Sequence, residues 1–456
     1  MIIDSCARNG LEIAAPGHDG RLSERYESRT RGSKRLFERA KKVFAGGVNH
    51  NARFYDPYPL FVSRAKGECI WDEDGNRYTD YWMGHMALIL GHSPKVVVDA
   101  LRTQVPKGTH YGMGSGLSVE LGEEIQRTVP CAEAIRFCNT GAEATMYLVR
   151  LARAHTGRRV VIKMSGGWHG YNTELNKGVH RPFDRTESAG ILEEEQAYVK
   201  NVRFNDLHAA EAELNRSKGD VAAVFLEPVL GAGGCIPADK DYLMGLRELA
   251  DAHGVLLCFD EIITGYRLAL GGAQEWYGVT PDLATFGKIA GGGLPIGLVC
   301  GRREILSLAD PGRRSERFVS IGGGTFSENP LTMAAGLATI RHLRKKSSSI
   351  YPRLDGMGRE ARTKVDSAFA DFGVEAHTTG LGSLFLTHFG PEPRDAEDAA
   401  KDDRKVVADY SLSLMASGIF VLPGHPGGIS TAHSMDDIRK LAARSGEYAR
   451  SRTGTK

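Results

Sequence analysis

From about residue 133 to residue 300 the chain alternates short apolar runs with longer stretches of helical period. The runs are "AIRFC", "RVVIKM", "AAVFL", "VLLCF", "LATFG" and "IGLVC". None of them alternates polar with apolar positions. Such runs predict strands covered on both faces, and hence a mainly parallel sheet between helices in an α/β domain. Upstream, "SKRLFERAKKVFAGG" predicts a short amphipathic helix stopped at Gly46 and Gly47. "FVSRAKGECIWDEDGNRYTDYW" predicts a hairpin turning at "DEDGNR". "PKVVVDALRTQV" and "SVELGEEIQRTV" are helical in pattern. Downstream, "LTMAAGLATIRHLRK" predicts a long helix leading into a small α+β unit.

These patterns divide the chain into a loosely ordered arm over 1–32 and an N-terminal segment over 33–95. A large ligand-binding domain comes next, over 96–335, and then a C-terminal α+β domain over 336–456. The expected fold class is α/β with a second, smaller α+β domain. Composition narrows the classes of function. The 456 residues are 41% hydrophobic and 25% charged, with a net charge of +2. That balance supplies no bulk attraction to nucleic acid or to an anionic membrane. Seven cysteines, an odd number without metal-ligand spacing, point to free thiols in a reducing compartment. With neither a secretory leader nor a run of about 20 apolar residues, the cytoplasm is the expected location.

Ligands of an open parallel sheet bind beyond the carboxyl ends of its strands, so the residues just after each apolar run carry the chemistry. After "AIRFC", the residues Thr140, Gly141 and Ala142 open a helix. They read either as a phosphate cup or as a plain N-cap set against Glu143. After "RVVIKM", Trp168 and His169 sit on a glycine-flanked loop, as a flat face for a planar ligand or as a tucked aromatic. Glu227 ends "AAVFL", and Asp260 and Glu261 end "VLLCF". Carboxylates there need a cation against them, either a metal or a protonated heterocyclic nitrogen. Lys288 comes directly after "LATFG" and precedes three glycines. Burial would give it a nucleophilic amine. Amine, phosphate cup, aromatic plate and carboxylate together describe one ligand, pyridoxal 5'-phosphate.

Longer stretches then carry a resemblance. "LFERAKKVFAGGVNHNARF", "RFCNTGAEATMYLVRLAR", "FDEIITGYRLALGGAQEWYGVTPDLATFGKIAGGGLPIG" and "GGTFSENPLTMAAGLATI" resemble the class-III, fold-type I pyridoxal-phosphate aminotransferases. Within these they are similar to the glutamate-1-semialdehyde 2,1-aminomutase subgroup. The resemblance implies that Lys288 is the Schiff-base lysine and proton shuttle, and that Asp260 partners the pyridine nitrogen. It implies a phosphate turn at Thr140, Gly141 and Ala142, with Trp168 and Ile262 on the two faces of the ring. Gly324 and Thr325 match a segment that reaches the phosphate across a dimer interface, which implies a homodimer with shared sites. Arg53 matches a substrate-carboxylate arginine.

The substrate walls depart from the subgroup. His50 stands where a serine is usual, His85 where a tryptophan is usual, and Ala232 where an asparagine is usual. The segment "LPGHPGGIS" lacks the subgroup's glutamate. Retained cofactor machinery with altered walls leads us to expect an aminotransferase. Its partners would be a small carboxylate-bearing amino donor, β- or aryl-substituted, and a keto-acid acceptor. The alternatives weighed are the aminomutase itself and, from another class, a non-catalytic binding protein of the same fold.

Overall fold

The computed structural model describes residues 20–313 and 315–454. Its central sheet runs in the order Ala134–Cys138, Gly297–Gly301, Leu283–Gly287, Leu256–Asp260, Val221–Leu226, Val160–Met164, Val199–Val202. All six apolar runs are strands of this sheet. Alternate side chains enter opposite layers, as the two-residue period of a strand demands. Val161, Phe225 and Cys258 pack under Leu148 and Leu151 of helix Gly141–Thr156. Their neighbours Ile162, Val224 and Leu257 face the layer that holds Leu243 and Leu246. The edge strand Val199–Val202 escapes the sequence pattern because "VKNV" carries polar residues in the middle of a short run. Strand Gly297–Gly301 lies antiparallel to both neighbours, so the sheet is mostly rather than wholly parallel.

The expected hairpin is present, with Cys69–Asp72 paired to Arg77–Asp80 in antiparallel register. Its turn is held by Asp72 Oδ1, which accepts from the backbone N–H of Asp74 and Asn76 at 3.0 and 2.8 Å. Strand Ile419–Phe420 adds in parallel to Arg77–Asp80. The N-terminal segment and the C-terminal domain therefore share one sheet, Val62–Lys66, Cys69–Asp72, Arg77–Asp80 and Ile419–Phe420.

Two expected boundaries move. Part of the arm is helical, over Gly20–Arg29, and Tyr26 is buried there with its hydroxyl donating to Tyr58 O at 2.9 Å. Leu22 packs beside it and Arg29 donates to Ala416 O at 2.7 Å, contacts that the polarity of the stretch hid; residues 1–19 of that arm lie outside the described residues. The limit at 335 falls inside helix Pro330–Lys345. That helix packs chiefly on helices Lys95–Gln104 and Gly116–Thr128 and on the turn Lys288–Gly291, so a cut at 335 divides one packing unit.

Candidate active site

The carboxyl ends of the central strands converge on one cleft floor. Lys288 leaves strand Leu283–Gly287 with a left-handed φ of 45°. Burial pulls its amine down to about 8, while the carboxylates of Asp260 and Glu227 act the other way and the Arg267 guanidinium adds to the fall. The result is an amine with a usable neutral fraction near neutral pH. Asp260 ends the adjacent strand and is held on all sides. His169 Nδ1 lies 2.8 Å from Oδ2, while Thr285 Oγ1 and the N–H of Ile262 each donate to Oδ1 at 3.1 Å. Glu227, one strand further on, accepts from the N–H of Trp168 at 2.8 Å and of Gly231 at 3.2 Å. Burial and the nearby Asp260 charge push its carboxyl well upward.

Helix Gly141–Thr156 points its N-terminus at the same floor. Thr140 and Glu143 form a reciprocal capping box, with Glu143 Oε2 accepting from the N–H of Asn139 and Thr140 at 2.7 and 2.9 Å. The plain N-cap reading is thus realised at Thr140. Gly141 and Ala142 head the helix without intrahelical acceptors for their N–H groups, which leaves a place for an anion. Ile262 covers this corner, because a Cβ on either Gly141 or Gly287 would come within 3.0 Å of its Cδ1. Gly170 brings the Trp168 loop onto the helix; at φ +84°, a Cβ there would lie 2.6 Å from that of Ala142. Gly324 and Thr325 come just after Gly323, whose carbonyl accepts from Asn139 Nδ2 at 3.0 Å beside the same helix end.

Of its two readings, His169 takes the geometry of the tucked aromatic. Its ring is buried, tilted 35° against Phe225 at 4.3 Å, and it reaches Asp260 rather than offering a face to a ligand. Trp168 remains half-buried, edge-on to Tyr171 at 4.6 Å.

The wall of the cleft comes from distant segments. Asp80 Oδ1 accepts from the N–H of Trp82 and Met83, and its other oxygen lies 2.7 Å from His92 Nε2. From this anchor the backbone takes a left-handed turn, with φ of 46°, 59°, 62° and 63° at Met83, Gly84, His85 and Met86. Each non-glycine residue there costs roughly 1–2 kcal/mol, so the surroundings must fix the turn. Arg267, fully buried, donates to the carbonyl of Met86 and to Ser383 Oγ, tying the turn to the large domain and the C-terminal domain. The turn presents His85 between His50, at 4.8 Å between ring centroids, and Trp82, at 4.4 Å. His425 closes the group edge-on to Trp82 at 5.5 Å. Burial pushes His85 down to about 3, and the neighbouring His50, Lys288, Arg53 and His425 add to the shift. Arg53 itself is exposed, near enough to act on His50 and His85.

Sequence reasoning missed Thr285, Trp82 and His425. A lone hydroxyl inside "LATFG" was a readable signal for Thr285, whereas His425 comes to the site from a loop whose neighbours carry no pattern.

A buried lysine, a braced carboxylate on the next strand, two free N–H groups at a helix end and an apolar lid over them suit one kind of ligand. It carries a carbonyl, a cationic ring nitrogen and a phosphate. These features define a fold-type I pyridoxal-phosphate enzyme. The chain belongs to the class-III aminotransferase family, whose profile matches residues 50–404. It is 38% identical over 414 residues to the glutamate-1-semialdehyde 2,1-aminomutase of Methanobrevibacter smithii, spanning 90% of this chain and 96% of that one. Among solved structures, an omega-transaminase from Sphaerobacter thermophilus superposes with a TM-score of 0.85 at 32% identity, over 92% of this chain and 98% of the other. A β-phenylalanine aminotransferase from Variovorax paradoxus does so with a TM-score of 0.85 at 31% identity, over 95% and 98%. Pyridoxal 5'-phosphate is the cofactor. Among the described residues no helix is long and apolar enough to cross a membrane.

Proposed function

We propose that this chain is a glutamate-1-semialdehyde 2,1-aminomutase, moving an amino group between neighbouring carbons of one small carboxylate-bearing substrate. The observation that carries this reading is the 38% identity to a protein of that name along nearly the whole of both chains. It replaces the transaminase as first choice, because the altered walls alone weigh less than likeness sustained over 414 residues.

When bound, pyridoxal phosphate supplies the electron sink that makes a carbon–hydrogen bond next to the amine acidic. Everything else falls to the chain. Lys288 Nζ would relay a proton between the two carbons on either side of the imine nitrogen, once for each position the amino group occupies, a transfer suited to a pKa near the working pH. Asp260 holds the cationic ring nitrogen, with its charge kept in place by His169, Thr285 and the N–H of Ile262. The N–H groups of Gly141 and Ala142 would hold the phosphate. Trp168 and Ile262 would cover the two ring faces, and Glu227 would lie beside the ring edge. Arg53 grips the substrate carboxylate, with His50 and His85 as the wall beside it. A homodimer is part of the proposal: Met113 and Phe326, 78% and 62% exposed, and Tyr111 lie on loops adjoining Gly324 and Thr325.

A second reading, transamination between a β- or aryl-substituted amino acid and a keto acid, is favoured by the wall of three imidazoles and by the 31% identity to a β-phenylalanine aminotransferase. The test is to give the purified holoprotein glutamate-1-semialdehyde with no amino acceptor. Formation of 5-aminolevulinate supports the mutase. No product there, with turnover of β-phenylalanine plus a keto acid, replaces it with the transaminase. Absence of both, with no visible cofactor band, leaves a non-catalytic binding protein.

A further inference from the structure

One buried cation lies outside this chemistry. Lys163 is in strand Val160–Met164, with none of its surface exposed. Its Nζ donates to the carbonyls of Gly167, Leu175 and Lys177 at 2.8, 3.2 and 2.7 Å. An ammonium has three donors, and each is used once. All three partners are carbonyls, none a carboxylate. The charged groups that face it are Glu227, Glu187 and Lys177, and it acts in turn on His169. Its acceptors stand at the beginning and end of one loop, residues 165–178. Within that span lie Trp168, bonded to Glu227, and His169, bonded to Asp260. The middle of the loop is tied to helix Gly141–Thr156, where Thr145 Oγ1 donates to His169 O at 2.7 Å and accepts from Asn172 Nδ2 at 2.8 Å.

Burying a cation among carbonyls is a poor way to gain stability, since an apolar side chain of equal length costs less to desolvate. Three donors radiating from one atom do what an apolar chain cannot. They draw both limbs of a loop to one point. We infer that Lys163 is a positioning residue whose ammonium staples the 165–178 loop, setting Trp168 against the cofactor ring and His169 against Asp260. The inference rests on the cofactor reading of the site. Burial pulls Lys163 down to about 7, with Lys177 adding to the fall and the two glutamates opposing it. As the proton leaves, the amine keeps two N–H donors for three carbonyls, and the staple loosens.

The probe is pyridoxamine phosphate, which does not bond covalently to Lys288. Its dissociation constant is measured from pH 6 to pH 9 for the wild type, Lys163→Met and the neighbouring control Lys177→Met, together with the circular dichroism of the bound ring. Lys163→Met should bind about tenfold more weakly at pH 6, the loss of one charge-assisted hydrogen bond's worth of order. The deficit should shrink as pH rises, because the wild type then loses its own staple. The ring dichroism should fall, whereas Lys177→Met should match the wild type at pH 6 and hold its affinity to slightly higher pH, because removing that charge lifts Lys163. Equal affinity, or a deficit that stays constant with pH, overturns the inference. Failure of the wild type to bind the probe would instead sink the cofactor reading. If Lys163→Met does not fold, amide exchange of 165–178 in the wild type decides. Protection, corrected for intrinsic rate, must fall above pH 7 for the inference to stand.

Discussion

Replacing His169 with phenylalanine isolates one of the three donors that hold Asp260. The ring shape is kept, so packing on Phe225 at 4.3 Å survives and what disappears is the 2.8 Å contact from Nδ1 to Oδ2. The other two donors both serve Oδ1, which leaves Oδ2 without its partner in a buried site. A hydrogen bond to a charged group contributes about 1.5–3 kcal/mol. The loss falls on the ionised carboxylate, the form that must hold a cationic ring nitrogen. Cofactor affinity and kcat/KM should therefore drop together, by roughly 10- to 150-fold. The assay is absorbance titration of the apoprotein with pyridoxal phosphate, then steady-state kinetics on the loaded enzyme. Thr285→Val, removing a longer contact on the other oxygen, should lose less. Values for His169→Phe within about twofold of the wild type, less than ~0.5 kcal/mol, would refute the claim that His169 orients Asp260.

Lys288→Ala should abolish turnover and the visible band of the bound cofactor while leaving the far-ultraviolet circular dichroism intact. Glu261 is fully buried and accepts from Thr264 Oγ1 and the N–H groups of Ala273 and Gln274 at 2.6, 2.7 and 3.1 Å; Glu261→Leu should cost about 3 kcal/mol or more in urea unfolding by orphaning those donors. His85, held down to about 3 when folded against 6.5 as its ordinary value, stays neutral while the unfolded chain protonates. Stability should therefore fall as pH drops from about 6.5 toward 3, and His85→Phe should show a shallower acid limb in unfolding curves. Arg53→Ala should raise KM for the carboxylate substrate about 10- to 100-fold, with a smaller effect on kcat.

The features disclosed by the sequence came from periodicity and from the residues that end each strand. The six buried runs, Lys288, Asp260 and the helix opening at Thr140 all lie where local pattern and strand topology meet, so linear reading located them. His169 was found with its role left open, because a histidine beside glycines says nothing about which way its ring turns; its partner, Asp260, is 91 residues away. Lys163 was hidden inside "RVVIKM", where a single charge in an apolar run gives no hint of the three carbonyls that loop back to meet it. The wall was least legible. His425 and Trp82 meet only because a strand from the C-terminal domain joins the N-terminal sheet, a pairing no local signal announces.

Strand Gly297–Gly301 returns directly against the strand that launches Lys288, with Gly287 opposite Gly297. Lys288 thus stands at the tip of a hairpin, a part of the cleft closed by a short loop. Short loops cost little entropy to close, and local pairings form early. The cofactor floor is assembled almost entirely from one contiguous stretch, residues 134–301. The wall needs residues 50–85 brought to residue 425. The residues that would hold the cofactor are thus drawn from one stretch of chain, and those that would choose a substrate from its two ends. That separation lets the second set diverge, by changes near the chain ends, without altering the first.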